Sequence, residues 1–176
     1  MDTVFLQRIA AIHRELGLAP ADFNLPLQLE AEERTLVRVE PDLGATRDGL
    51  WLESGASQAW RGMHAAAARD GIALELISGF RSVERQREIF AAHLAHGRSK
   101  QDLLRWVAPP GYSEHHTGQA ADIGTPGSPP LEEDFEKTRA FAWLTAHAPS
   151  FGFSLSYPRD NTCGLGYEPW HWRFRR

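Results

Sequence analysis

The sequence contains a single cysteine, Cys163, and this scarcity excludes a disulfide framework. A lone thiol has no partner within the chain, so folding must rest on the burial of apolar side chains. We interpret Cys163 as a free structural thiol and not as a metal ligand or a nucleophile. The sequence also has no stretch near the roughly 18 consecutive apolar residues that a membrane-spanning helix requires. It therefore predicts no membrane span.

Excess positive charge is missing as well. The chain has 19 Lys and Arg residues against 23 Asp and Glu residues, which gives a formal net charge of -4 at pH 7. Proteins that bind nucleic acid generally carry a basic surface. We therefore expect no nucleic-acid partner.

The length and composition are those of an ordinary globular domain. Of the 176 residues, 42% are hydrophobic and 24% are charged, which argues against a disordered chain, a collagen or a coiled coil. We predict a single domain over residues 1–176. Within it, residues 1–70 form an N-terminal extension with helices, and residues 71–176 form a core that carries the motifs described below.

The first residues lack the pattern of an export signal, which needs basic residues, a long apolar run and a cleavage site. Their apolar side chains instead recur at roughly helical spacing, at Val4, Phe5, Ile9, Ile12 and Leu16. This spacing predicts an amphipathic helix that ends at Gly17. From the missing signal we expect a cytoplasmic protein.

Helical and strand patterns are mixed irregularly along the rest of the chain, which favours the α+β class over a repeated βα arrangement. Periodicity predicts helices from 54 or 57 to 70, from 83 to 96, from 99 to 107 and from 131 to 147. It predicts strands at 35–39, 72–77, 120–123, 153–156 and 171–174.

Three polar segments have a pattern suited to metal chemistry. They are Ser78–Ser82, Ser113–Asp122 and Glu168–His171. A catalytic zinc takes three protein ligands in near-tetrahedral geometry and leaves one position for water. Neutral imidazole and carboxylate groups are suitable ligands, and these segments contain both.

Two of the expected ligands, His115 and Asp122, are seven residues apart, too far to share one helical turn. A loop that runs into a strand can bring them together, and Gly118 lets that loop bend back. His171 can supply the third ligand from a distant part of the chain. His116 adjoins His115 and is the alternative ligand at that position.

Two further residues supply what the attack of a metal-activated water on a carbonyl group needs. Glu168 lies three residues before His171, where it can act as a base toward water without binding the metal. Arg81 is always charged, and its planar fork suits a carbonyl oxygen that becomes an oxyanion.

Together these segments resemble the signature of a known enzyme family. The matching positions are Ser113, His115, Gly118, Ala120 and Asp122, followed by Glu168, Trp170 and His171. The segment Ser78–Ser82, with Gln86 downstream, is similar to a second element of that family. The family is that of the VanY-like zinc D-alanyl-D-alanine carboxypeptidases, in a wider group with D,D-dipeptidases and L,D-peptidases of the cell wall. The resemblance runs from about Ser78 to Arg173.

The resemblance implies an α+β fold in which a small antiparallel sheet carries the metal site and helices pack against the sheet. It implies one Zn²⁺ ion bound by His115, Asp122 and His171. The spacing from Ser113 in the family signature selects His115 over His116.

The other roles that the resemblance implies are catalytic or concern the substrate. Glu168 acts as the general base and later as the acid. Arg81 stabilises the scissile carbonyl as it becomes an oxyanion. Ser113 and Gln86 bind the C-terminal end of the peptide.

The activity implied is that of a zinc-dependent carboxypeptidase that removes the terminal D-amino acid from peptidoglycan-type peptides, at a D-Ala-D-Ala or an L,D bond. A cytoplasmic D-Ala-D-Ala dipeptidase and an L,D-endopeptidase are alternatives, because the shape of the loops around the cleft decides between them. A non-catalytic, zinc-containing module that binds cell-wall peptides is the alternative of another class. The expected partner is a peptidoglycan-derived peptide or another compound that contains D-Ala-D-Ala.

Overall fold

A four-stranded antiparallel sheet lies at the centre of the computed structural model, which describes residues 3–175. The strands are β1 (Leu36–Arg38), β2 (Trp51–Glu53), β3 (Glu75–Ser78), β4 (Ala120–Gly124), β5 (Phe153–Leu155) and β6 (His171–Phe174). The central sheet has the order β3-β4-β6-β5, so β4 and β6 are its inner strands. The short strands β1 and β2 pair with each other in a separate antiparallel ladder.

Helices flank the sheet. They are α1 (Thr3–Leu16), α2 (Ser54–Arg69), α3 (Val83–Ala95), α4 (Lys100–Leu103) and α5 (Arg139–His147). The carboxylate of Glu53 accepts hydrogen bonds from the first backbone N–H groups of α2, and the hydroxyl of Ser82 does the same for α3. These caps satisfy N–H groups that have no partner inside the helix, and so fix where each helix begins.

Alternation along β4 and β6 separates apolar from polar side chains, because successive residues of a strand point to opposite faces. Ala121 and Trp172 are buried in the core that contains α2 and α5. Asp122 and His171, one residue away along each strand, therefore point to the other face. The strand register pairs these two residues directly.

Two apolar clusters hold the layers together. The larger one joins the sheet to α2 and α5 through Trp60 and Leu144, both fully buried. The second joins α1, α3 and α4 through Ile9, Phe90 and Leu103. Each such side chain contributes about 1.5–3 kcal/mol by leaving water, so both clusters stabilise the fold substantially.

The predicted α+β class is confirmed, with a small antiparallel sheet and helices packed against it. The predicted N-terminal helix is confirmed, and Gly17 follows it with a φ of 66°. The predicted helix over 131–147 is wrong in its first half. Leu131 has a φ of 58° and a 3₁₀ turn occupies Glu133–Lys137, so α5 begins only after Thr138, whose hydroxyl caps it.

The single-domain organisation stays a prediction. Helix α2, which precedes residue 71, packs into the same cluster as the sheet. Within residues 3–175, none of the helices is long and apolar enough to cross a membrane.

Candidate metal centre

Three buried side chains meet on the polar face of the central sheet, those of His115, Asp122 and His171. One possible ligand atom from each lies within 4.8 Å of the other two. Between residues 3 and 175, no other three His, Cys, Asp or Glu side chains come together in this way. The register of β4 and β6 pairs Asp122 with His171, and a 3₁₀ turn at Glu114–Thr117 brings His115 to them.

A backbone hydrogen bond determines which nitrogen of His115 faces the other two residues. Its Nδ1 lies 2.7 Å from the carbonyl oxygen of Gly79. Since a carbonyl can only accept, Nδ1 carries the proton, and Nε2 directs its lone pair toward Asp122, 3.2 Å away. Burial lowers the pKa of His115, and the neighbouring Asp122 charge opposes this only in part. The ring is thus favoured in the neutral form that a metal requires.

In His171 the two ring nitrogens have the opposite roles: Nε2 bonds a residue outside the group of three, and Nδ1 faces Asp122. Its Nε2 lies 3.0 Å from Oε2 of Glu114, and its Nδ1 lies 3.1 Å from Oδ1 of Asp122. Burial alone would lower the pKa of His171, but the hydrogen bonds to these two carboxylates raise it above its ordinary value. In the metal-free protein a proton therefore sits between His171 and Asp122, where a divalent cation would replace it.

The Asp122 carboxylate completes the group. Burial raises the pKa of Asp122, but the contacts with His115 and His171 outweigh burial and hold that pKa well below its usual range. Asp122 is therefore charged at neutral pH. A buried negative charge beside two ring nitrogens is a suitable environment for a cation.

Glu168 lies next to this group, in the turn that precedes β6. Its Oε2 is 3.7 Å from Nδ1 of His171, and the residue is only 9% exposed. Burial raises the pKa of Glu168 to about 7, and the charges of His171 and Arg81 oppose that increase only in part. A carboxyl group with a pKa near neutrality can both accept and return a proton.

Arg81 reaches the same place from the loop between β3 and α3. Its Nη1 donates to Oε1 of Gln86 at 3.0 Å, and its Nη2 donates to Oγ of Ser78 at 3.1 Å. Burial lowers the pKa of Arg81, while the charges of Asp122 and Glu168 raise it, and a guanidinium remains protonated throughout. Within the described residues its hydrogen-bond partners are neutral, so its charge is available to an anion.

All seven residues singled out from the sequence line one cleft of about 500 Å³. Gln86 and Ser113 are the two residues predicted to bind the substrate. Gln86 is almost fully buried, and its side-chain amide is hydrogen-bonded to other residues of the chain. Its Oε1 accepts from Arg81, and its Nε2 donates to the carbonyl of Ala108 at 2.7 Å. Ser113 is also a buried residue of the cleft lining, but its hydroxyl oxygen is not among the atoms fully shielded from solvent, and it has no hydrogen-bond partner in the described part of the chain. It is thus free to bind a ligand.

The walls of the cleft are largely apolar, and its rim is acidic. The apolar wall residues are Ile89, Trp106, Val107, Leu131 and Leu165, and the rim contains Glu132 and Glu133. A volume of this size with convergent polar groups at one end is typical of a small-ligand site.

The neighbouring histidine, His116, does not face the group. Its Nδ1 lies 2.7 Å from the carbonyl oxygen of Arg81, to which it donates, and its Nε2 accepts from the backbone N–H of Gly111 at 3.0 Å. Both ring nitrogens are therefore occupied by the backbone. The geometry favours His115 over His116 as the ligand.

Two residues at the site were not selected from the sequence, Glu114 and Tyr157. Glu114 contacts His171, and the Tyr157 ring packs on the His171 ring with centroids 4.7 Å apart. Glu114 adjoins His115 in the motif, which is a local signal. Its contact with His171, 57 residues later, depends on the fold and is not visible in the sequence.

Comparison with known proteins shows which family the chain is similar to. Residues 49–176 match the model of the VanY family, described as D-alanyl-D-alanine carboxypeptidase. A D-alanyl-D-alanine carboxypeptidase of Enterococcus faecalis is 32% identical over 166 residues, which cover 88% of this chain and 54% of that protein. The chain spans 40% to 59% of the length of four curated relatives that it matches.

Solved structures of carboxypeptidases and related peptidases have a similar fold. The LD-carboxypeptidase LdcB superposes with a TM-score of 0.67 at 29% identity, over 90% of this chain and 70% of that one. A variant of the D,D-pentapeptidase VanY from a VanB-type vancomycin-resistance cassette, in complex with Zn(II), has a TM-score of 0.66 at 30% identity. That match covers 86% of this chain and 82% of the other.

Proposed function

The chain belongs to the VanY family of D-alanyl-D-alanine carboxypeptidases, and from this premise we propose that it is a zinc-dependent carboxypeptidase of peptidoglycan-type peptides. The proposed reaction removes the terminal D-amino acid, at a D-Ala-D-Ala or an L,D bond. One observation carries the proposal. His115, Asp122 and His171 converge in a cleft that also contains Glu168 and Arg81.

The three converging side chains fit a zinc ion by the type and number of their donors. Two imidazole nitrogens and one carboxylate oxygen match a catalytic zinc site with three protein ligands. The other ring nitrogen of each histidine is hydrogen-bonded, to Gly79 or to Glu114, which is the usual arrangement of metal-binding histidines. Zinc held there would lower the pKa of a water and polarise a carbonyl oxygen. The Zn(II) complex of the VanY neighbour supports this choice of metal.

Glu168 is the proposed base and acid. Its carboxylate is close enough to His171 to reach a water beside the ligands, yet it is not one of the three. As the water oxygen bonds to the scissile carbonyl carbon, Glu168 takes up the proton. When the C–N bond breaks, Glu168 returns the proton to the leaving amine.

Arg81 is the proposed partner of the carbonyl oxygen, which gains negative charge during attack. Hydrogen bonds to Gln86 and Ser78 fix the plane of the guanidinium before substrate arrives. A preorganised cation stabilises the developing charge without the cost of reorientation. Ser113, with its unpartnered hydroxyl, and Gln86 are the proposed contacts of the C-terminal end of the peptide.

The experiment that tests this proposal offers the zinc-loaded chain three substrates in parallel: a stem pentapeptide, a stem tetrapeptide and free D-Ala-D-Ala, with products identified by mass spectrometry. We expect loss of one C-terminal residue from the pentapeptide, the tetrapeptide or both. The controls are the same preparation with a chelator, which should release nothing, and the Glu168→Gln variant, which should release product at least about 100-fold more slowly.

Other product patterns would contradict the proposal in specific ways. Cleavage of the free dipeptide alone would indicate a dipeptidase. Release of internal fragments alone would indicate an endopeptidase. Zinc and peptide binding without any hydrolysis would indicate a non-catalytic binding module.

A further inference from the structure

We propose that Glu114 is a positioning residue that orients His171 for the metal, and that Arg173 and Gln28 in turn hold Glu114 in place. The inference rests on the proposed function, because it concerns how the zinc ligands are held. Glu114 lies outside the group of three ligands and outside the cleft lining, so it acts through His171 and not on the substrate.

The Glu114 carboxylate is buried and its oxygens accept three hydrogen bonds from side chains. Oε2 accepts from Nε2 of His171 at 3.0 Å and from the hydroxyl of Ser156 at 2.6 Å. Oε1 accepts from Nη1 of Arg173 at 2.8 Å. Three donors from three directions leave the carboxylate little freedom to rotate. Its position is therefore determined before any metal binds.

The bond to His171 decides which ring nitrogen is available. While Nε2 donates its proton to Glu114, only Nδ1 can offer a lone pair on the side of Asp122. Without the carboxylate, the ring can take the other tautomer or turn about its side-chain bonds. Partners of this kind on metal-binding histidines typically change metal affinity 10- to 100-fold.

Arg173 connects this arrangement to the N-terminal part of the chain. It lies two residues after His171 on β6, hence on the same face of the sheet. Its Nη1 binds Glu114 and its Nη2 donates to Oε1 of Gln28 at 3.1 Å. The side chain is 16% exposed, and Nε is the one buried side-chain nitrogen or oxygen without a partner among the described residues. The guanidinium is thus held by Glu114 and Gln28.

Gln28 is itself fixed, although it precedes the segment that matches the family model. It is 5% exposed, its backbone N–H donates to the carbonyl of Gly111 at 2.8 Å, and its Nε2 donates to the carbonyl of Pro26 at 3.2 Å. A chain of contacts therefore runs from Gln28 through Arg173 and Glu114 to His171. Residues before position 49 take part in holding the metal site.

The test compares the zinc dissociation constants of the wild-type chain and the Glu114→Gln variant, measured by competition with a chromogenic chelator. The amide keeps the shape of the carboxylate but loses its charge. Its NH₂ group is a donor and accepts no hydrogen bond, so the single remaining oxygen cannot replace the two that accept from Arg173 and His171. We expect zinc binding to weaken 10- to 100-fold. An unchanged dissociation constant in a folded variant would overturn the proposal.

A matched control separates positioning from simple stability. Glu30 is another hydrogen-bonded glutamate, which accepts from Arg8 and from the backbone N–H of Val83 and touches none of the three ligands. We expect Glu30→Gln to lower the thermal stability of the metal-free protein and to leave the zinc dissociation constant within twofold of wild type. If Glu30→Gln weakens zinc binding as much as Glu114→Gln, the effect is general destabilisation and the inference is wrong.

A second measurement needs no variant and so does not depend on the folding of one. In ¹⁵N-labelled wild-type protein loaded with zinc, we expect the His171 Nδ1 resonance to show metal ligation and Nε2 to retain a proton protected from exchange. Ligation through Nε2 would overturn the inference while leaving the proposed function intact. A wild-type chain that binds no zinc would instead refute the proposed function, and this inference with it.

Discussion

Nε2 of His115 lies 3.2 Å from Oδ2 of Asp122, although the first residue belongs to a 3₁₀ turn and the second to the central strand β4. Gly118 makes this approach possible. It follows the turn with a φ of 68°, in the left-handed region where a side chain is unfavourable. The chain reverses there and returns Asp122 to His115.

Gly118→Ala should therefore damage the fold and the site together. A Cβ atom there would lie 2.9 Å from the backbone nitrogen of Glu53 and 3.0 Å from the Leu36 side chain, in addition to the backbone strain. Gly17→Ala is the matched control, because Gly17 has a φ of 66° but no atom near an added Cβ. We expect Gly17→Ala to cost about 1 kcal/mol of unfolding free energy and Gly118→Ala to cost at least about 1 kcal/mol more. Equal losses in urea denaturation would refute the account of this turn.

The sequence predicts a feature of the site more readily when the residues involved are close together along the chain. Glu168 and His171 are three residues apart, the residue types of His115 and Asp122 suit metal binding, and the family signature includes Ser113. All five can therefore be predicted from the sequence. The α+β class follows from periodicity. In contrast, the contacts of Glu114 with His171 and of Gln28 with Arg173 are set by the strand register and by the path of the N-terminal segment. Neither contact leaves a local pattern.

Packing in the core also explains why periodicity predicted one helix over 131–147 where the structure has a turn and a shorter helix. Phe135, Phe141 and Leu144 recur at roughly helical spacing, which predicted one long helix over 131–147. The backbone instead breaks at Leu131 and Thr138 and still buries Phe135 and Leu144. A 3₁₀ turn followed by a helix can present the same apolar residues to one core, so periodicity alone does not distinguish them.

Arg81→Lys tests whether Arg81 stabilises the negative charge that develops on the carbonyl oxygen in the transition state. Lysine keeps the charge but cannot bind Gln86 and Ser78 in the same plane while it faces the substrate. We expect kcat to fall roughly 10²- to 10³-fold with little change in KM and no change in zinc content. Arg85→Lys, at an exposed position paired with Glu88, should leave both constants unchanged. An increase in KM alone would show that Arg81 binds the ground state of the substrate instead.

The buried His116 predicts a pH dependence of stability. Burial lowers the pKa of His116 from 6.5 to about 4, while the hydrogen bond to the Arg81 carbonyl opposes this only in part. As pH falls through 6.5, the unfolded chain binds a proton that the folded chain does not bind until about pH 4. Folding stability is therefore lost over that interval.

Between pH 7 and pH 4.5 we expect the lowered pKa of His116 to reduce the free energy of unfolding by about 2 kcal/mol. It can be measured by urea denaturation of metal-free wild type and His116→Gln at both pH values. The variant should lose about 2 kcal/mol less than wild type on acidification. Parallel losses would show that His116 titrates alike in the folded and unfolded chains.

Glu168→Gln separates catalysis from metal binding. Loss of the proposed base should reduce kcat by about 10²- to 10⁴-fold, and the variant should still bind one zinc because Glu168 is not among the ligands. Glu133→Gln, an exposed glutamate on the rim of the same cleft, should keep nearly full activity. Activity retained in Glu168→Gln, or lost equally in both variants, would contradict the role of Glu168.

Glu168→Gln also has a predicted effect on stability. Burial raises the pKa of Glu168 from 4.5 to about 7, so the folded chain keeps a proton that the unfolded chain releases near pH 4.5. The metal-free protein therefore loses stability as pH rises from about 4.5 to about 7. Glutamine cannot ionise. At pH 8 the metal-free variant should therefore be more stable than wild type, and at pH 4 the difference should vanish. A difference that does not depend on pH would refute the shifted pKa.

The most direct test of the metal site is the zinc content of purified chains after dialysis against zinc-free buffer, measured by inductively coupled plasma mass spectrometry for wild type, His115→Gln and His116→Gln. The two variants alter neighbouring histidines, but only His115 faces Asp122 and His171. We expect one zinc per chain in wild type and in His116→Gln, and less than a tenth of that in His115→Gln. Zinc retained by His115→Gln and lost by His116→Gln, or absent from the wild type, would contradict the site described above.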